Sequence, residues 1–314
     1  MKKIGVGVIG VGFWGRNHAR VFSELHNTEL KAVCDINSEL TENVAEQFGV
    51  DTYKDSGKML KRGDIDAVSI CTWTTTHAAE AKKVIKAGKH LLVEKPIANT
   101  VRQARNIVDA AEKNELRLMI GFIERFNPSV QHAKSEIEEG KIGTLVSATA
   151  RRVSQWPERI GDIGVVKDTA IHDIDIMRYI FDKDPVAVYA QIGNLKHKKF
   201  EDYAQIMLTF KDGKTAFIEA NWLTPYKIRN LLVTGSEAII SLSYITQEIT
   251  MEIAGQSLTH RHEWREPLKL ELQHFANCVI NNEEPLVTGI DGLKALQIAE
   301  AALKSAAKCR AIKL

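Results

Sequence analysis

Apolar residues fall into two textures along this chain. Up to about residue 120 they come in short unbroken runs separated by stretches of helical spacing; beyond about 144 they alternate with polar residues. Ile4–Ile9 is a β-branched run with no solvent-facing alternation, the pattern of a parallel strand buried on both faces. Residues 16–25 follow with Ala19, Val21, Phe22 and Leu25 at helical spacing. The alternation then continues through strand 30–34, helix 41–48, strand 67–71, helix 77–87, strand 90–93, helix Val101–Lys113 and strand 116–120. Strands alternating with helices predict a parallel, doubly wound sheet.

Period-two runs occupy 144–153, 186–192, 204–210, 215–222, 228–234, 238–242 and 249–253, with Lys211-Asp212-Gly213-Lys214 as a hairpin turn between two of them. They predict a largely antiparallel sheet with one face buried. Its open face is expected to be partly apolar and to bring copies together as a homodimer or homotetramer. Helices are expected at 268–280 and 292–307, the second with an apolar stripe of Leu293, Leu296, Ala299 and Leu303 that reads as core packing. The fold class is therefore α/β: an N-terminal Rossmann-type parallel sheet over 1–121, then an α+β domain over 122–314. The last helix could pack back on the first domain.

At 314 residues two domains are the natural expectation. A net charge of +2, with basic residues scattered, points away from nucleic acid. Cys34, Cys71, Cys278 and Cys309 lie far apart without a C-x-x-C, which suggests reduced thiols and no metal site. Met1-Lys2-Lys3 and the apolar run after it resemble a signal peptide only superficially, since four glycines break the run and no cleavage site follows. No run reaches the roughly 18 apolar residues of a membrane helix. A cytoplasmic, membrane-free protein is expected.

Chemistry concentrates in two places. After the first strand comes Gly10-Val11-Gly12-Phe13-Trp14-Gly15, opening a helix. Gly10 permits the tight turn, Gly12 lets a pyrophosphate approach the backbone, and Gly15 allows close helix–strand packing. Asp35 ends the second strand about twenty residues on, placed to accept both ribose hydroxyls and to repel a 2′-phosphate, so the cofactor expected is NAD. Glu94-Lys95-Pro96 closes another strand at the sheet edge where such folds bind ligands, and proline restricts the lysine's backbone. Thr72 ends the preceding strand on that edge. His77 opens the next helix as a cap or a cofactor contact.

The second place is Asp168-Thr169-Ala170-Ile171-His172-Asp173-Ile174-Asp175. On an α-helix Asp168, His172 and Asp175 share one face, a carboxylate beside an imidazole. A metal reading lacks further ligand spacing.

Taken together, these motifs resemble the Gfo/Idh/MocA oxidoreductases over essentially the whole chain. The resemblance implies that Lys95 sits by the nicotinamide, and that Lys95, Asp168 and His172 surround the reacting hydroxyl. The family usually has glycine two residues before the histidine, where this chain has Ala170. Within the family, Gly121-Phe122-Ile123-Glu124-Arg125-Phe126-Asn127-Pro128, Ala148 to Val153 with Arg151-Arg152, and Tyr244-Ile245-Thr246-Gln247 are similar to UDP-N-acetylglucosamine 3-dehydrogenases. That implies a nucleotide-sugar substrate, whose diphosphate calls for guanidinium or backbone donors. Arg125, Arg151, Arg152 and Arg159 are the candidates, with Asn127 for a hydroxyl or acetamido group. Trp156 and Trp222 could line the sugar or pack the core. Lysine's reference value near 10.4 makes it a poor base while protonated, and burial or a nicotinamide cation would lower it. His172 is the competing base. A free-polyol dehydrogenase and a non-catalytic NAD-binding sensor are the alternatives; retention of all three polar residues argues against the sensor.

Overall fold

A computed structural model describes residues 3–157, 161–261 and 263–314. The chain divides into two units, Met1–Phe122 with Leu268–Leu293, and Ile123–Pro267 with Lys294–Leu314.

In the first unit the strands are β1 (Ile4–Ile9), β2 (Thr28–Cys34), β3 (Asp51–Tyr53), β4 (Ala67–Ile70), β5 (His90–Glu94) and β6 (Leu118–Gly121). Between them run α1 (Phe13–Glu24), α2 (Ser38–Phe48), α3 (Ser56–Met59), α4 (Thr74–Lys86) and α5 (Val101–Lys113). The order across the sheet is β3-β2-β1-β4-β5-β6 and each pairing is parallel. Every residue of β1 and β4 is buried, as unbroken apolar runs require of strands covered on both faces. The order reverses between β1 and β4, the position where open α/β sheets take ligands at the strands' carboxyl ends. Helices α2 and α5 begin where side chains accept first-turn amides: Asn37 accepts from Glu39 at 3.0 Å and Thr100 from Gln103 at 3.3 Å. Short β3 and α3, with two of the three β3 residues exposed, carry too little apolar pattern to be seen in sequence.

The second unit starts with a 3-10 turn, Ile123–Phe126, and α6 (Pro128–Glu138). There follow β7 (Leu145–Val153), a π turn over Val166–Ala170, α7 (Ile171–Phe181), β8 (Ala187–Gly193), β9 (Tyr203–Thr209), β10 (Thr215–Asn221), β11 (Ile228–Gly235), β12 (Ala238–Ser243), β13 (Glu248–Ile253) and β14 (Gln256–Arg261). Helices α8 (Pro267–Asn281) and α9 (Gly289–Lys308) and strand β15 (Ile312–Lys313) complete the chain. The nine strands order as β14-β13-β12-β11-β7-β10-β9-β8-β15, antiparallel except where β7 meets β10. Ala148, Ala150, Ala204, Ile206, Ile218, Leu231 and Val233 fill the buried face, on which α7 packs with Ile174, Met177 and Phe181. Phe181 stacks on Phe210 at 4.1 Å. Phe217, Leu232 and Ile239 on the other face are exposed.

Residues 268–293 cluster with the first unit. Asn27 donates to Asn277 at 2.9 Å, and Ile120 N–H to the Val287 carbonyl at 3.3 Å. The division falls within α9, after Leu293.

Candidate active site

The glycine turn is built from close approaches. Gly10 has φ +84° and donates to the Cys34 carbonyl at 2.8 Å. A side chain at Gly15 would collide with the Gly10 carbonyl, so helix and strand meet there only because both are bare. A Cβ at Gly12 meets nothing within 4 Å. Helix α1 starts at Gly12 without a side-chain cap, which leaves its first amides to an anion. Asp35 ties the turn to β2, its two carboxylate oxygens accepting from Val11 N–H and Asn37 N–H, both at 2.9 Å. Phe13 is exposed and Trp14 half-buried, their rings edge-on at 5.6 Å. An NAD pyrophosphate fits this arrangement: open space over Gly12, uncapped amides, and a carboxylate at the end of β2.

On the same sheet edge as the turn, at the carboxyl end of β5 and one strand beyond β4, lies the Glu94-Lys95-Pro96 segment, whose Lys95–Pro96 peptide is cis. Lys95 is half-buried; its backbone N–H donates to Glu94 Oε2 at 3.1 Å. Glu94 Oε1 faces His18 Nε2 at 3.1 Å, and His18 Nδ1 faces Ser69 Oγ at 2.8 Å. Burial pulls the His18 imidazole down, but its interactions with Cys71 and Glu94 outweigh this and hold it well above its usual value. Burial pushes Glu94 up; the His18 contact outweighs that and leaves it low. Both shifts favour the charged form of their group. Nothing in the sequence pattern marked His18, which sits three residues beyond Gly15 within an otherwise apolar helix face.

His77 does not cap α4, because the helix starts three residues earlier at Thr74. Its buried ring faces the Pro96 carbonyl at 2.8 Å and the Thr72 carbonyl at 3.1 Å. The Thr72 hydroxyl accepts from Thr76 at 2.8 Å.

In the second unit the Asp168–Asp175 stretch is not one α-helix. Val166–Ala170 takes the wider π turn and α7 begins only at Ile171. The expected single face of Asp168, His172 and Asp175 is thereby corrected, since a π turn shifts the residues before it out of α-helical phase. Asp168 and His172 are half-buried, whereas Asp175 is fully buried. Thr169 Oγ1 donates to Asp168 at 3.2 Å and accepts from the Trp222 indole at 2.9 Å. Glu201 supports the turn from below, its carboxylate accepting from Val166 N–H at 3.2 Å. Trp156 meets Trp222 edge-on and stacks on His197 at 6.1 Å, with the Lys196 ammonium 4.6 Å from its ring centre.

Two of the arginines expected to meet a diphosphate are spent inside the protein. Arg152 is 3% exposed and grips Asp173 with two bonds of 2.7 and 3.1 Å and Glu124 with one of 2.8 Å. Arg125 is equally buried and bidentate to Asp175 at 2.7 and 2.6 Å. Buried carboxylates on both forks leave neither guanidinium facing solvent. Asn127 is buried too, donating to the Tyr244 carbonyl at 2.9 Å and capping α6 through Ser129 N–H at 3.2 Å. Arg151 is exposed and pairs with Glu219 at 3.0 Å. Arg159 lies outside the described residues.

Sequence reading missed Lys227 and Arg229, on one side of the entry to β11. Arg229 stands opposite Arg152 in the β7–β11 register and 3.6 Å from Glu124, which Arg152 already holds. Burial first, then Arg152, pushes Arg229 below the usual arginine value; Arg229 first, then burial, does the same to Lys227. Asp168 acts on Arg229 in the opposite sense. Among the described residues no group of three or more histidine, cysteine or acidic side chains could hold a metal, and no helix is long and apolar enough to cross a membrane.

Comparison with known proteins bears on the family, the fold and the cofactor. Residues 4–122 match the oxidoreductase family with an NAD-binding Rossmann fold, and residues 130–241 match the GFO/IDH/MocA C-terminal domain. Inositol 2-dehydrogenase of Rhizobium meliloti (strain 1021) is 30% identical over 98% of this chain and 98% of its own. The chain belongs to the Gfo/Idh/MocA oxidoreductase family. Its cofactor is NAD. Among solved members, levoglucosan dehydrogenase in complex with NADH and levoglucosan superposes with a TM-score of 0.93 at 24% identity, covering 99% of each chain. UDP-N-acetylglucosamine 3-dehydrogenase GnnA from Acidithiobacillus ferrooxidans gives 0.89 at 26% identity, over 97% of this chain and 98% of that one.

Proposed function

We propose that this Gfo/Idh/MocA protein oxidises a sugar ring hydroxyl to a ketone, the substrate being a nucleotide sugar and the position the 3-hydroxyl of UDP-N-acetylglucosamine. The observation that carries the dehydrogenase reading is Lys95, its backbone fixed by a buried Glu94 at the carboxyl end of β5, on the same sheet edge as the nucleotide turn. The nucleotide-sugar reading is supported by the motifs shared with UDP-N-acetylglucosamine 3-dehydrogenases and by the likeness to GnnA.

When bound, NAD supplies the acceptor for the hydride that leaves the carbinol carbon. The hydroxyl proton must leave as the C=O bond forms, so a base has to reach it. Lys95 takes that proton in this reading. His172 holds the hydroxyl or relays the proton, and Asp168, steadied by Thr169 and Trp222, orients them. Asp35 selects NAD by offering a carboxylate where a 2′-phosphate would stand. The substrate's anionic part falls to Arg229 and Lys227, because Arg125 and Arg152 are committed to buried carboxylates. The exposed apolar face of the nine-stranded sheet would join copies of the chain, which sedimentation velocity would read as a dimer or tetramer.

A free-polyol dehydrogenase is the second reading, favoured by the 30% identity to an inositol 2-dehydrogenase and by the internal commitment of those two arginines. Incubation with NAD and a panel of UDP-sugars and polyols, followed at 340 nm with product analysis, separates the two. Turnover of a polyol and of no UDP-sugar would sink the first. Product analysis also catches a cofactor recycled in place by a second oxidant such as 2-oxoglutarate. Lys95→Met should lower kcat by about 10²–10⁴-fold while leaving NADH binding, read by fluorescence titration, intact. A near-normal rate removes the lysine from the scheme.

A further inference from the structure

We infer that His18 is a positioning residue for Lys95, acting through the Glu94 carboxylate. The inference rests on Lys95 being the proton acceptor proposed above. His18 lies on α1, the helix opened by the nucleotide turn, and is fully buried. Burying an imidazole and a carboxylate together is costly, and apolar residues would hold helix against sheet more cheaply. Ala19, Val21 and Phe22 of the same helix already do so. The pair therefore has a purpose beyond packing, and its place says which. One Glu94 oxygen accepts the backbone N–H of Lys95, and the other meets His18 Nε2. The imidazole fixes the carboxylate, and the carboxylate fixes the peptide from which the Lys95 side chain springs.

The surroundings are shaped for this. Gly121 faces Glu94 across the β5–β6 register, and a Cβ there would stand 3.0 Å from the carboxylate carbon. The polar groups around the pair are Ser69 and Cys71 on and just beyond β4, and Lys95 itself. On the far side of Lys95 the His77 ring meets the Pro96 carbonyl. The residues before and after Lys95 are thus each held by a buried histidine, one from α1 and one from α4. His18 is the arm that works through a charge.

The test uses three variants of the full-length protein. His18→Gln keeps an amide nitrogen where Nε2 stood, facing Glu94; His18→Asn keeps one where Nδ1 stood, facing Ser69; His18→Leu keeps neither. Thermal unfolding and NADH titration report fold and cofactor site. Acylation of Lys95, quantified by mass spectrometry against exposed Lys61, reports the amine without needing a substrate. The kcat on whichever sugar the panel yields reports function.

We expect Asn and Leu to lower kcat by about 100-fold, the scale of a misplaced catalytic group, with NADH affinity unchanged. Lys95 should label several-fold more slowly in both, because a Glu94 released from His18 turns to the lysine ammonium. Gln should retain most of the rate and the labelling. Equal losses for Asn and Gln, or Lys95 labelling that none of the variants alters, would overturn the inference. Should Leu fail to fold, the Asn–Gln contrast still decides. Full activity of Lys95→Met together with slowed labelling in His18→Asn would defeat the proton-acceptor reading and leave the positioning standing.

Discussion

Replacing Arg152 by Met tests whether this arginine holds the second unit together or waits for a substrate. The side chains involved are almost wholly buried: Arg152 is 3% exposed, Asp173 0% and Glu124 7%. Met has similar length, so the change deletes the charge and its three bonds with little loss of volume. Asp173 is left facing the Tyr244 hydroxyl at 3.3 Å, while Glu124 keeps the Asn127 amide at 3.3 Å and Arg229 at 3.6 Å. Removing one partner from a buried ion pair costs about 3–5 kcal/mol. Glu124 retains a cation, which places the loss near the lower end, about 3–4 kcal/mol, or roughly 10 °C in Tm for a unit of this size. Urea unfolding followed by fluorescence reads it directly, since Trp156 and Trp222 both lie in this unit. Neutralising the orphaned acid in the same background, with Asp173→Asn, should recover a large part of the loss. A midpoint within about 1 kcal/mol of the parent, especially with a raised KM, would refute the argument and return Arg152 to the substrate.

Three further outcomes follow from the local geometry. Gly15→Ala puts a methyl into the Gly10 carbonyl; overpacking of this kind costs roughly 1–3 kcal/mol, so NADH titration should show affinity weakened by about 10- to 100-fold. The His18–Glu94 pair predicts a pH signature in stability. His18, held above its ordinary 6.5, contributes fully below that pH and loses the contribution as pH rises through its folded value. Glu94, held below its ordinary 4.5, contributes above that pH and loses the contribution as pH falls through its folded value. The urea-midpoint difference between the parent and His18→Gln should therefore peak between those two values and shrink on either side; a difference flat from pH 4 to 9 would contradict it. Finally, Cys309 sits exposed at φ 49° just after α9, so Cys309→Gly should stabilise by about 0.5–1 kcal/mol in the same assay.

What was legible in the sequence follows from what local pattern can encode. Unbroken apolar runs placed β1, β2, β4 and β5 in a parallel sheet, and alternation marked β7 to β13, because both are properties of single strands. The glycine turn was legible since each glycine answers a local steric need. The π turn before α7 was not, because its i→i+5 geometry leaves no period in five residues, and so the phase of Asp168 against His172 was misread. His18 was invisible for another reason: its partners Ser69 and Glu94 are 51 and 76 residues away, joined only by the sheet.

The arginines show a signal that was present and unused. Arg151 and Arg152 look like a basic pair, yet neighbours on a strand face opposite ways. Ala148 and Ala150 share the parity of Arg152 and are buried; Thr149 shares that of Arg151 and is exposed. Parity alone thus sends Arg152 into the core and Arg151 to the open face. A guanidinium entering a core demands carboxylates, and α7 carries two, Asp173 and Asp175, interleaved with isoleucines along a helix otherwise apolar enough to be buried all round. One of the two neutralises Arg152 and the other Arg125. The cation left over on that face is Arg229, set against Arg152 across the strand pair with its nearest carboxylate already shared. Among the described residues the carboxylate paired with Arg229 is Glu124 at 3.6 Å, shared with Arg152; in the function proposed above, an anionic substrate group would neutralise the remaining positive charge at the entry to β11.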